Sequence, residues 1–316
     1  MRKGHDMSTV IGVRSIPSRQ AYSWKEWFIL FAQLGKMKIS FLATLSAATG
    51  YLLTTGELTM HMFVPTAAIF LLASGSCALN QYQERQIDQL MERTRWRPIP
   101  SGRLNPGVAL SISLGLILLG SIGLFYGANG VALSLGLLAV AWYNGVYTSL
   151  KQKTAFAAVP GAVVGVIPPI LGWASGGGSI LDPRIWGIVF FFFIWQVPHF
   201  WLFFLDFSRD YEKAGLPSIT KIFSAGQIKR IMLIWLLSTG ISGLSIFSFH
   251  LIHLQFIHFF LIVSTLWHIW NSFHFFRSYP QRADLRVAFT KLNLYAILVL
   301  FLLSSDRLLI QTHYQF

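Results

Sequence analysis

The sequence predicts an all-α polytopic membrane protein with nine transmembrane helices and a cytoplasmic N-terminus. Three observations lead there. Of 316 residues, 54% are hydrophobic and only 12% charged, against about 25% charged in a soluble domain, and mean hydropathy is +0.55. Nine apolar stretches approach the roughly 20 residues that a helix needs to cross a bilayer. The basic residues lie almost entirely on one side of them.

The stretches fall near 37–55, 62–82, 107–126, 129–148, 155–176, 184–206, 229–249, 252–273 and 288–310. Each is expected to be helical, because an open strand leaves its backbone unpaired in lipid. Pro168, Pro169 and Pro198 fall inside the fifth and sixth stretches, where kinks or unwound turns are expected. With the N-terminus inside, every one of the 25 Lys and Arg except Arg184 and Arg307 lies on the inner side, as the positive-inside rule requires. Residues 1–35, with Arg2, Lys3, Arg14, Arg19 and Lys25, read as a basic cytoplasmic arm rather than a transit peptide. Residues 36–310 form the intramembrane part and 311–316 a short C-terminal tail.

Topology therefore explains the formal net charge of +13, and no nucleic-acid partner is expected. The single Cys77 lies in an apolar run, which leaves no disulfide framework and no cysteine metal site. The inner loops 83–106 and 207–228 are long and hold five of the twelve acidic residues. Function is expected at the inner ends of the second and sixth helices.

The chemistry-bearing residues confirm that focus. In "ALNQYQERQIDQLMERTRWRPIP", Asn80, Glu84 and Asp88 recur every four residues and form one row on a helix. The second loop, "LDFSRDYEKAGLP", repeats the spacing with Asp206 and Asp210, with Glu212 close by. Such oxygen donors suit Mg2+, which takes few carboxylates and completes its shell with phosphate and water. Arg85, Arg93, Arg97, Arg103, Lys151 and Lys153 would match the remaining phosphate charge. In "YNGVYTSLK", Tyr147 and Lys151 are again four apart, a phenol beside a phosphate grip. The competing reading is ordinary solvated charge at helix ends. Two rows on one membrane face, in the long loops, weigh against it, since carboxylates at lipid are functional by default.

These motifs resemble the UbiA superfamily of intramembrane prenyltransferases. Within it, "NQYQERQIDQLMERTRWRPIPSGRL", "YTSLKQKT", "PPILGWAS", "VPHFWLF" and "DYEKAGLP" are similar, in order, to the protoheme IX farnesyltransferase (haem O synthase) branch. The resemblance spans roughly 34–310. It implies nine helices around a central cavity, Mg2+ as cofactor, and farnesyl diphosphate and haem b as substrates. The chain departs from the branch in "GKMKI", where Met37 replaces a proline, in "WQVPHFW", and in "SIT" after "AGLP". None of these removes a presumed ligand.

On this resemblance, Asn80, Glu84, Asp88, Asp206 and Asp210 would hold the metal. Arg85, Arg93, Arg97, Lys151 and Lys153 would bind diphosphate, with Tyr147 beside them. His199, mid-membrane next to Pro198, is the candidate haem contact, either on iron or on a propionate. The alternative for His199 is a neutral ring bonded to a carbonyl that the proline frees. His250, His253, His258, His268 and His274 gather around the eighth helix; a place inside the span is the alternative for His258 and His268, but interfacial packing is the favoured reading. A bacterial inner membrane is expected before a mitochondrial one, and haem A synthase or a second copy is a conceivable contact. The rivals are a UbiA-type enzyme with another aromatic acceptor, such as a hydroxybenzoate or quinone precursor, and a transporter. A transporter would place its charges at the midplane, whereas these lie at one face.

Overall fold

The computed structural model describes residues 23–277 and 282–314, and among them every regular element is helical. In chain order these are α1 (Trp24–Leu34), α2 (Met37–Thr55), α3 (Phe63–Gln83), α4 (Arg85–Leu90), α5 (Pro106–Gly127), α6 (Gly130–Val140) and α7 (Thr148–Leu150). They continue with α8 (Ala158–Gly161), α9 (Val163–Ser175), α10 (Pro183–Asp206), α11 (Ser208–Lys213), α12 (Ala225–Ser245), α13 (Gln255–Arg277) and α14 (Arg282–Tyr314). Eight helical runs among the described residues are long and apolar enough to cross a membrane, and α1 with α2, bent by 60°, makes a ninth. Residues 1–22, most of the expected basic arm, lie outside the described residues.

Local sequence sets the helix starts. Ser23 with Glu26, and Ser224 with Gln227, form capping boxes at α1 and α12. Asn105, Asn129 and Asp182 cap α5, α6 and α10 by accepting from backbone N–H groups of the first turn, each supplying a partner to a donor the helix cannot satisfy itself.

The long helices close a ring. Neighbours meet in the order α2, α3, α5, α6, α9, α10, α12, α13 and α14, and α14 returns to α2. Small residues let the backbones approach. Side-chain carbon added at Gly50 would strike the Pro169 carbonyl, and at Gly172 the Ala47 carbonyl, so α2 and α9 cross in direct backbone contact. The C-terminal half packs instead through large side chains, including Ile188, Phe191, Tyr295 and Val299, all fully buried.

Two expectations change. Of the kinks or unwound turns expected at Pro168, Pro169 and Pro198, no turn is unwound: all three lie inside continuous helices, because packed neighbours tolerate missing donors. The distortion lies elsewhere, in a π-helical stretch, Ala141–Tyr147, that joins α6 to α7. His268 is not interfacial: it is buried, donates from Nε2 to the Leu236 carbonyl (2.9 Å) and stacks on Tyr295. His253 and the backbone N–H of Leu254 instead meet the buried Asp306 carboxylate, which ties the loop before α13 to α14.

The α2–α9 crossing predicts that Gly172→Val destabilises the protein by about 3 kcal/mol, the upper range for overpacking. Thermal unfolding in detergent should show the loss, while Gly145→Ala, whose added carbon meets nothing within 4 Å, should change little.

Candidate active site

The first acidic row survives a break in the helix. α3 ends at Glu84, whose backbone leaves helical geometry (φ −92°, ψ 5°), and α4 restarts at Arg85. Bonds from Glu84 N–H to the Asn80 carbonyl (3.0 Å) and from Asp88 N–H to the Glu84 carbonyl (2.8 Å) carry the register across. Asn80, Glu84 and Asp88 therefore share one face, and all point inward, with 2%, 3% and 0% of their surface exposed.

Each member of the row meets its own cation. Lys36 Nζ donates to Asn80 Oδ1 (2.9 Å), Lys151 Nζ pairs with Glu84 Oε1 (2.5 Å), and Arg97 Nη1 pairs with Asp88 Oδ2 (2.7 Å). Burial would push the Glu84 carboxyl up, but Lys151, then Lys36 and Arg97, hold it below the usual carboxylate range. Burial likewise works against the Lys151 ammonium, yet Glu84 keeps it above its ordinary value. Both groups stay charged at neutral pH.

Sequence reasoning missed Lys36. A lysine at the inner end of a span is the default anchor, so nothing in its spacing marks it. The structure marks it by its backbone, which is left-handed (φ 46°, ψ 53°) at the α1–α2 bend. That conformation costs a non-glycine residue about 1–2 kcal/mol. It aims the side chain inward, where Tyr143 also contacts the ammonium (3.4 Å).

The π-helical stretch supplies the opposite wall. Asn144 bonds to Ser76 and Gln83 of α3, and Thr148 accepts from the Asn80 amide (3.1 Å). Tyr147 then stacks between Tyr143 and Phe200, at 5.8 and 5.1 Å between centroids, and Phe200 stacks on Phe204 at 5.9 Å. Gly161 permits this, since an added Cβ would lie 2.5 Å from the Tyr147 ring. The stack borders a cleft lined by Lys151, Thr154, Phe204 and Tyr211.

The second loop divides its acids. Asp210 Oδ2 accepts from the Arg93 backbone N–H (3.2 Å), which joins the two loops. Arg93 lays its guanidinium over Phe203 and Phe207 and feels both Asp88 and Asp210. Asp206, expected among the metal ligands, has other partners: Arg282 Nε (2.7 Å) and Arg286 Nε (3.0 Å) take one oxygen each. Two expected diphosphate contacts also point elsewhere. Arg85 folds back onto the Tyr82 carbonyl and ring, and Lys153 is exposed beyond α7. His199 Nδ1 meets the side chain of Asn293 (2.8 Å), among Trp195, Phe289 and Phe200.

The donor set fits a hard divalent cation. Asp88 Oδ1 is buried and has no hydrogen-bond partner, which is costly unless something positive meets it. Among the described residues no group of three acidic, histidine or cysteine side chains converges as a metal cage. That matches the sparse protein ligation of Mg2+.

A ring of membrane helices with a buried acidic row and paired cations at one end defines an intramembrane enzyme for a charged head and an apolar tail. A family model for the UbiA prenyltransferase family matches residues 40–297, and the chain belongs to that family. It is an integral membrane protein. Among curated relatives, it is 43% identical over 188 residues to protoheme IX farnesyltransferase of Geobacter sulfurreducens, covering 59% of this chain and 69% of that one. It is 32% identical over 221 residues to the same enzyme of Nitratidesulfovibrio vulgaris, covering 70% and 77%. The fold is similar to that of a digeranylgeranylglyceryl phosphate synthase (TM-score 0.71, 13% identity, 89% of this chain and 98% of that one). It is also similar to that of a UbiA homolog from Archaeoglobus fulgidus bound to DMAPP and Mg2+ (TM-score 0.66, 15% identity, 88% and 98%).

The unequal surroundings of the two aspartates predict different phenotypes. Asp206→Asn should lower the unfolding temperature and leave the Mg2+ concentration for half-maximal activity nearly unchanged. Asp210→Asn should raise that concentration at least about tenfold, measured by titrating Mg2+ into purified enzyme.

Proposed function

We propose that this chain transfers a farnesyl group from farnesyl diphosphate to a vinyl group of haem b, giving haem O, in a bacterial inner membrane. The observation that carries the chemistry is the buried, unpartnered Asp88 oxygen beside three paired cations. The similarity to the farnesyltransferases of Geobacter sulfurreducens and Nitratidesulfovibrio vulgaris supports the choice of substrates.

Asp88 and Asp210 would hold Mg2+, with Glu84 and the Asn80 side-chain amide beside them and Asp206 acting as a clamp on α14. When bound, Mg2+ neutralises charge on the diphosphate as its bond to carbon breaks. Lys36, Lys151 and Arg97 would turn from carboxylate and amide oxygens, and Arg93 from the faces of Phe203 and Phe207, toward phosphate oxygens. They are aligned before substrate arrives, so little reorganisation is needed as charge develops. The carbon–oxygen bond of farnesyl diphosphate breaks, the electron pair leaves with the diphosphate, and an allylic cation remains. The stacked faces of Tyr143, Tyr147, Phe200 and Phe204 present π density to that cation and exclude water from it. The vinyl carbon of haem bonds to the cation. Water then adds to the positive carbon left beside the macrocycle and loses a proton, which leaves a hydroxyethylfarnesyl side chain. His199 is the proposed haem contact.

Haem extracted from membranes that express this chain should carry the added mass of a farnesyl group and one hydroxyl. In Asp88→Ala the product should fall about 100-fold or more, the scale for losing a charge-stabilising group. Unmodified haem from folded wild-type protein supplied with farnesyl diphosphate and Mg2+ would overturn the acceptor assignment.

A further inference from the structure

His199 does not choose its own tautomer. Its Nδ1 lies 2.8 Å from Oδ1 of Asn293, across the interface of α10 and α14. The amide of Asn293 is itself oriented, because its Nδ2 donates to the Phe289 carbonyl one turn earlier on α14 (2.8 Å). Its oxygen therefore faces the imidazole, and a carbonyl oxygen only accepts. Nδ1 must carry the hydrogen, which leaves the lone pair on Nε2. No hydrogen bond reaches Nε2 among the described residues. The ring is braced by Trp195 at 4.7 Å and Phe289 at 4.8 Å between centroids, so its plane is set as well as its tautomer.

We infer that Asn293 is a positioning residue that presents the Nε2 lone pair of His199 as an axial ligand to the iron of the acceptor haem. This rests on the reading of His199 as the haem contact. A ligating histidine whose far N–H donates to an oxygen is a fixed and more basic ligand. Asn293 supplies that oxygen from a different helix, so the grip on haem depends on α10 and α14 staying in register. Asp206 secures the same pair of helices at the cytoplasmic end through Arg282 and Arg286. The ligand bond would fix the macrocycle without taking part in bond making at the vinyl group.

The test uses full-length purified protein titrated with ferric and ferrous haem b, following the Soret band and the midpoint potential of the bound haem. Wild type should give a histidine-ligated spectrum and His199→Ala should lose it. Asn293→Leu should bind haem about tenfold or more weakly, and its potential should rise as the imidazole becomes a poorer donor. Asn293→Asp keeps the side-chain shape and accepts more strongly, so its potential should fall below that of wild type. If both Asn293 variants match wild type in spectrum and potential while His199→Ala loses the ligand, the role of Asn293 is overturned and the His199 reading stands. An unchanged spectrum in His199→Ala would overturn both. Haem transfer activity, followed separately by mass, reports on the proposed reaction whether or not iron is ligated.

Discussion

Everything at the cytoplasmic end of this molecule depends on pairing three buried oxygen-bearing side chains with three cations. Asn80, Glu84 and Asp88 sit where water is scarce, and any one of them alone would be expensive to bury. Lys36, Lys151 and Arg97 come from three other segments: the α1–α2 bend, the end of α7 and the first long loop. The row therefore acts as a hub that fixes the relative positions of parts of the chain far apart in sequence. The same pairing that stabilises the folded protein arranges positive charge around one place. A diphosphate entering there meets groups already collected at close range.

The aromatic stack gives that charged centre its other half. Tyr143 and Tyr147 come from the π-helical stretch, whereas Phe200 and Phe204 come from α10. The stack starts beside Lys36 and Asn80 and runs toward Tyr211 and the second loop. A substrate with a water-soluble head and an apolar tail finds both environments within a few ångströms. A reactive cation formed between them would be screened by rings rather than by solvent.

Much of this was legible from spacing alone. Apolar run lengths gave the spans, because they respond to lipid directly. The i, i+4 steps at Asn80, Glu84 and Asp88 remained visible through the break at Glu84, since backbone bonds preserve the register there. Asp206 shows the limit of such reading. Its spacing to Asp210 looks like a second ligand pair, yet its partners are Arg282 and Arg286, more than seventy residues later. Arg85 is drawn aside for a local reason, because its guanidinium donates to a carbonyl three residues back. Lys36 was hidden for the opposite reason: only a left-handed backbone, which leaves no periodic trace, turns it inward. The prolines report lost donors, while packing decides whether the helix unwinds there.

The π-helical stretch Ala141–Tyr147 has a consequence for how this site tolerates change in chain length. Each helical residue advances the side-chain direction by about 100° and the axis by about 1.5 Å, and a π turn holds one residue more than an α turn. A single-residue deletion there would restore regular winding and still leave a good membrane helix. Because the widened turn already absorbs the extra residue, the helix downstream, with Lys151, would keep nearly its present direction, while Tyr143, Asn144 and Tyr147 within that turn would shift against α3 and the aromatic stack. The segment behaves as a local widening, and its length is constrained by the side chains that it carries into the site.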